Sequence, residues 1–230
     1  MLITVSAYNR PHYLSKSLAS LSRCRGIGAC RVFVILDKSD RTDECLEIVR
    51  QHGFDSLTLA ERVGCNEAIC KSLRVGFDFA GTDFNLHVED DVVLSRDAIH
   101  WFWWARDTYR NDKSIFSVSG WQRKPCGLIT QCGRRMGFCP WGWGTWRDRW
   151  DEIKAAWPPA EGTSWDVHVT NNVRGTRFEA YPAVSRVQNI GESGGEHINC
   201  PDWHEIFHAA VSTSDDAPES GNLYFTEANI

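Results

Sequence analysis

The chain has 230 residues, 42% hydrophobic and 24% charged, with a formal net charge of -5, enough for one sizeable core in an ordinary globular domain. No uninterrupted apolar stretch approaches a membrane span, the Trp101–Trp104 cluster being too short, and the first strand-like run begins at Leu2 without a secretory leader pattern, so a cytoplasmic location is expected. The nine cysteines include no CxxC pair, which disfavours a disulfide framework or a zinc ribbon and predicts reduced thiols.

In chain order, Leu2–Ala7 is an apolar, β-branched run, broken at Tyr8-Asn9-Arg10, and Pro11 opens a helix to about Leu21 because proline suits the first helical position. Val32–Leu36 is a second strand, ended by Asp37, with helical spacing of Cys45, Ile48 and Val49 after it. A third strand at Leu57–Leu59 leads through Gly64-Cys65-Asn66 into a helix ending near Gly81. The fourth run, Phe84–Leu94, is apolar except where Glu89, Asp90 and Asp91 interrupt it. A helix from the cap Ser95 to about Arg110 and a strand at Ile115–Ser119 follow. This alternation predicts an α/β fold with a mostly parallel, Rossmann-like sheet and helices on both faces, ligands binding at the carboxyl ends of the strands. No GxGxxG or Walker fingerprint accompanies it, which argues against a dinucleotide or P-loop site.

Beyond Gly120 the regular alternation fades. All 11 tryptophans lie at Trp101 or later, and Gly120–Trp150 sets Arg123, Lys124, Arg134, Arg135, Arg147 and Arg149 against the single acid Asp148, a balance suited to an anionic or hydroxyl-rich ligand. A short helix is expected within 163–175, and a flexible tail over 212–230.

The acidic triplet carries the most chemical information. Carboxylates at the end of an apolar strand repel one another and resist desolvation, so they persist there when a divalent metal, a basic partner or ligand hydroxyls offset them; the alternative is a solvated turn.

Four features in order resemble the GT-A glycosyltransferases, and among them the inverting β-N-acetylglucosaminyltransferase I type: Ala7-Tyr8-Asn9-Arg10-Pro11; Glu89-Asp90-Asp91, similar to the EDD form of the DxD motif; the Gly/Trp-rich Cys139–Trp146; and Trp165-Asp166, followed by Tyr181–Arg186 and the loop to His197. The resemblance implies one catalytic domain over 1–211, with a nucleotide-sugar half (1–119) and an acceptor half (120–211). It implies metal-dependent, inverting transfer of a sugar from a UDP-sugar to a hydroxyl acceptor, a carbohydrate or another hydroxyl-bearing molecule, with a modified nucleic-acid base left open. On this pattern Asp91 would hold Mn2+ or Mg2+, with His197 as a further ligand. Ala7, Tyr8, Asn9, Arg10, Asp37, Asn66, Glu89 and Asp90 would contact the nucleotide sugar. Trp141, Trp143, Trp146 and Trp165 would receive the acceptor. Asp166 would be the general base, with Asp148, Asp151 and Glu152 in reserve; the family usually presents two acids where only Asp166 stands here.

Two competing readings remain. His204-Glu205-Ile206-Phe207-His208 is a literal HExxH, the pattern of a zinc metallohydrolase, with Glu227 as the available third ligand; His197, Cys200, His204 and His208 also form a candidate structural zinc set. Interleaved basic residues and tryptophans would also suit a non-catalytic carbohydrate or nucleic-acid binder.

Overall fold

The computed structural model describes residues 1–192 and 225–228. The first half follows the expected alternation: β1 (Leu2–Ala7), α1 (Pro11–Ser22), β2 (Arg31–Leu36), α2 (Thr42–Gln51), β3 (Asp55–Thr58), α3 (Cys65–Arg74) and β4 (Phe84–Glu89). Between α3 and β4 the helix widens into a π-turn at Val75–Phe79. The fourth apolar run is not one strand: the chain turns at Asp90 and Asp91, and β5 (Val92–Leu94) joins a separate two-stranded sheet. The helix expected from Ser95 begins later, as α4 (Ala98–Tyr109), because the Ser95 hydroxyl donates to the Asp97 carboxylate at 2.7 Å rather than capping.

The second half holds β6 (Ile115–Ser119), β7 (Gln131–Arg135), β8 (Trp143–Trp146), α5 (Arg147–Ala155), α6 (Trp165–His168), β9 (Phe178–Pro182), β10 (Val187–Asn189) and β11 (Thr226–Glu227). The nine-stranded sheet runs β11-β7-β9-β6-β8-β4-β1-β2-β3. Strands β3, β2, β1 and β4 are mutually parallel, as are β6 with β9 and β7 with β11. The antiparallel strand β8 lies between β4 and β6 and joins the two halves into one sheet.

Alternating residues fill opposite faces, as strand geometry requires. Ile3, Val5, Val34 and Val88 pack with α1, α2 and α4 in one core, while α3, α5 and α6 share a second around Phe77, Trp143, Trp150 and Trp165. The flexible tail expected over 212–230 does not hold for its described part: Phe225 is buried against Trp101 and Trp104, and Thr226–Glu227 pair with β7. Burial of an aromatic ring and two ladder positions fix this segment. Among the described residues no helix is long and apolar enough to cross a membrane.

Candidate functional site

The parallel strands β1, β2 and β4 end together, and their C-terminal residues build one polar cluster. At the end of β4, Asp90 and Asp91 are buried. Arg10, delivered by the β1–α1 loop, reaches both: its Nη2 donates to Asp90 Oδ1 and lies 2.9 Å from Asp91 Oδ2. The Tyr8 backbone N–H also donates to Asp90, at 3.4 Å. Two such acids beside one guanidinium tolerate burial because that cation offsets part of their repulsion.

The offset is incomplete. Burial pushes the Asp90 carboxyl up to about 6 although Arg10 pulls the other way. Glu89 is held well above the usual carboxylate range by burial, then by the charges of Asp91 and Asp90, with Asp166 adding to them against Arg10. Asp166 lies in the first turn of α6. Its charge therefore acts on the same cluster from the acceptor half. Its carboxylate is partly exposed and accepts no hydrogen bond from the described residues, which leaves it open to a ligand.

Asp91 is bounded on its other side by a segment that the sequence did not signal. Asn189, at the end of β10, donates from Nδ2 to Asp91 Oδ1 at 3.2 Å, and the next residue's amide donates to the Asp91 carbonyl at 2.7 Å. A β-carbon at Gly191 would collide with the Asp91 carboxylate, so only glycine permits this approach. The Glu192 amide then donates to the Tyr13 hydroxyl at 3.0 Å. No short motif announces a lone asparagine after a three-residue strand; only the fold of the second sheet brings it to the acids.

The remaining nucleotide-side residues divide by role. The Ala7 carbonyl accepts from the Asp37 amide at 2.8 Å, locking the ends of β1 and β2 together. Asp37 accepts three backbone N–H groups, from Lys38 and Val63 at 2.9 Å and from Gly64 at 3.0 Å. It therefore clasps the loop before α3 rather than capping α2, and one lone-pair direction on Oδ2 remains. The Arg62 guanidinium lies over the Tyr8 ring at 4.8 Å, and Asn9 sits partly exposed beside Arg10. Asn66 faces away from this work: its side-chain amide spans to Thr163 and Trp165.

On the acceptor side the expected row of accessible tryptophans is corrected. Trp143, Trp146 and Trp165 are buried, Trp143 lying against Trp165 at 5.7 Å and edge-on to Phe138 at 4.8 Å. Large rings flanking α6 contribute more by closing the second core than by facing water. Trp141 is partly exposed and meets Trp121 edge-on at 5.3 Å. Trp121 was not singled out from sequence, since one tryptophan beyond a strand carries no pattern.

The basic surplus of 120–150 is largely consumed inside the protein. Arg134 pairs with Asp112 and Glu227, Arg135 with buried Glu179, Arg147 with Asp78 and Arg149 with Asp148. Only Arg123 and Lys124 of the six have no ion pair among the described residues, so the region is not a broad cationic surface. Asp148 and Glu152 are likewise engaged, by Lys113 and Arg177. His197, Cys200, His204, Glu205 and His208 lie outside the described residues. The third ligand that a zinc site would require, Glu227, is held by Arg134.

The site therefore consists of oxygen donors at the carboxyl end of a parallel sheet, with a carboxylate on α6 that has no partner among the described residues and whose charge acts on Glu89. No protein-family model matches the chain. Over 116 residues it is 31% identical to an α-1,3-mannosyl-glycoprotein 2-β-N-acetylglucosaminyltransferase of Arabidopsis thaliana, an alignment covering 46% of this chain and 24% of that protein. Among solved structures it is similar to S. aureus TarS residues 1–349 in complex with UDP-GlcNAc, with a TM-score of 0.63, 13% identity, and coverage of 93% of this chain and 68% of that one. A second structure of S. aureus TarS 1–349 gives a TM-score of 0.60 and 14% identity, covering 81% of this chain and 60% of that one. The fold is the GT-A fold of nucleotide-sugar glycosyltransferases. Over the aligned 116 residues the sequence resembles the β-N-acetylglucosaminyltransferase I type, and the chain spans about a quarter of the length of the curated relative it matches.

Proposed function

We propose that this chain transfers a sugar from a UDP-sugar to an acceptor hydroxyl with inversion at the anomeric carbon, in a divalent-metal-dependent reaction. The observation that carries the reading is the Glu89-Asp90-Asp91 cluster at the end of β4, with Asp90 and Asp91 buried against Arg10 and the charge of Asp166, which has no partner among the described residues, acting on Glu89. UDP-GlcNAc is the first donor to test, because both the Arabidopsis relative and the TarS complex name N-acetylglucosamine.

The donor set fits a hard divalent ion: it offers carboxylate oxygens and a deficit of positive charge. Among the described residues no group of three or more acidic, histidine or cysteine side chains gathers to hold an ion unaided. Asp91 would be a protein ligand, with His197 as the further ligand the resemblance implies and with phosphate and water oxygens available besides, as is common for Mg2+ bound beside nucleotides. Bound there, Mn2+ or Mg2+ would supply positive charge against the departing diphosphate.

The chain's own residues do the rest. Arg10 holds Asp90 and Asp91 in register and carries a fixed positive charge near the departing phosphates. Asp37 keeps one lone pair for the uracil N–H, while Tyr8, backed by Arg62, walls the base. Glu89 and Asp90 orient the ribose. Asp166 takes the proton from the acceptor hydroxyl, whose ordinary pKa is too high for attack at neutral pH.

Thermal shift with UDP-GlcNAc, with and without Mn2+, tests the class. At ligand about 100-fold above Kd the stabilisation is about 2.7 kcal/mol, a Tm rise of roughly 5–10 °C for a chain of this size. The metal-dependent part of that rise disappears in Asp91→Asn. Asp166→Asn keeps donor binding and lowers kcat by about 10²–10⁴; full turnover in that variant would remove Asp166 from the mechanism.

A further inference from the structure

We infer that Asn66 is the positioning residue for Asp166, a strut between the nucleotide pocket and the helix that carries the base; this deepens the transferase reading and rests on it. Sequence reading places Asn66 among the nucleotide contacts. In the structure both ends of its side-chain amide bond the acceptor half: Nδ2 donates to the Thr163 carbonyl at 2.9 Å, and Oδ1 accepts from the Trp165 amide at 2.9 Å.

The second bond is a cap supplied from a distance. Trp165 is the first residue of α6, and its N–H is one of the amides that a helix start leaves without an internal partner. The local N-cap residue, Ser164, makes no side-chain capping bond. Asn66, separated by 99 residues in sequence, takes that place. Packing of Trp165 on Trp143 and Phe138 fixes how closely α6 approaches the sheet, whereas the paired bonds from Asn66 fix where α6 begins along its axis. Asp166 is the next residue.

The other end of the strut is just as defined. Asn66 stands in the first turn of α3, two residues after Gly64, and the amides of Val63 and Gly64 are held by the Asp37 carboxylate. One short path therefore runs from Asp37 through residues 63–66 to Thr163, Trp165 and Asp166. These hydrogen bonds connect Asp37 and its loop to the segment that carries Asp166. Donor and base are thereby held in one frame, which is what attack at the anomeric carbon requires.

Asn66→Ala tests this through three readouts on the full chain. Hydrogen exchange across 163–170 accelerates, kcat falls by about 10²-fold, the scale of loss for a misplaced catalytic group, and the Kd for UDP-GlcNAc with Mn2+, from calorimetry, stays within about twofold of wild type, below the scale of one lost hydrogen bond. Phe225→Ala, remote from the site and destabilising, serves as the control: per folded molecule it retains wild-type kcat. Unchanged exchange at 163–170, or unchanged kcat in Asn66→Ala, overturns the inference. A donor Kd that weakens in step with kcat also overturns it, returning Asn66 to the nucleotide contacts. A wild-type chain that neither binds nor turns over UDP-sugars defeats the transferase reading instead, and hydrogen exchange then decides the strut by itself.

Discussion

Histidine 87 illustrates how a single buried residue records the balance of the site. On β4, two residues before Glu89, it is fully buried between Thr4 Oγ1 at 3.0 Å and Ser6 Oγ at 3.3 Å. Burial lowers its pKa to about 3, so the imidazole stays neutral across the physiological range. An unfolded chain protonates this histidine below about 6.5, and the folded chain resists until about 3. Its contribution is thus complete above 6.5 and is lost as pH falls, by about 1.4 kcal/mol per unit. The raised carboxyls of Glu89 and Asp90 act in the opposite sense, since the folded state keeps their protons at a pH where the unfolded chain has released them. Comparison with His87→Gln separates the two: the stability gap between wild type and variant narrows from pH 6.5 to 5, measured by urea unfolding at each pH. At this scale the sequence made the acids at the end of β4 legible because a charged triplet inside an apolar run is rare. Asn189 and Gly191 carry no comparable signal, and only their packing on Asp91 identifies them.

Elements of the first half were legible because strand and helix alternate with clear breaks, and because Pro11 marks the start of α1. Those of the second half were not. Strand β8 is four residues, Trp-Gly-Thr-Trp, buried on both faces, so it has no polar alternation to read. Its glycine is explained by its neighbour: a β-carbon at Gly144 would strike the Phe84 ring on β4. Strand β11 is shorter still and is secured by the preceding residue. Phe225 lies 5.1 Å from the Trp101 ring and 5.4 Å from that of Trp104. Phe225→Ala should cost about 3–5 kcal/mol, read as a lower denaturant midpoint with an unchanged slope. A loss within about 0.5 kcal/mol, as for an exposed surface residue, would mean that the segment does not belong to the core.

At the scale of the whole molecule, a buried ion pair joins distant elements of the described structure. Arg186 and Asp97 are both fully buried, Nε to Oδ2 at 2.7 Å, and the same guanidinium donates to the Ile129 carbonyl at 2.6 Å while lying over Phe225. It ties the start of α4, the loop after β6 and the last strand at one point. Arg186→Met strands the Asp97 carboxylate and should destabilise by about 3–5 kcal/mol. Adding Asp97→Asn should restore part of that loss, and chemical unfolding of the single and double variants measures both. The amino-acid sequence alone determined the α/β class, the acidic triplet and the pairing of Trp165 with Asp166, because periodicity and residue chemistry are local properties. Tertiary structure alone decided that Trp143, Trp146 and Trp165 are core, that most of the arginine surplus is paired within the protein, and that Asn66 bonds Thr163 and Trp165. Burial and pairing depend on which distant segments meet, and no local pattern encodes that.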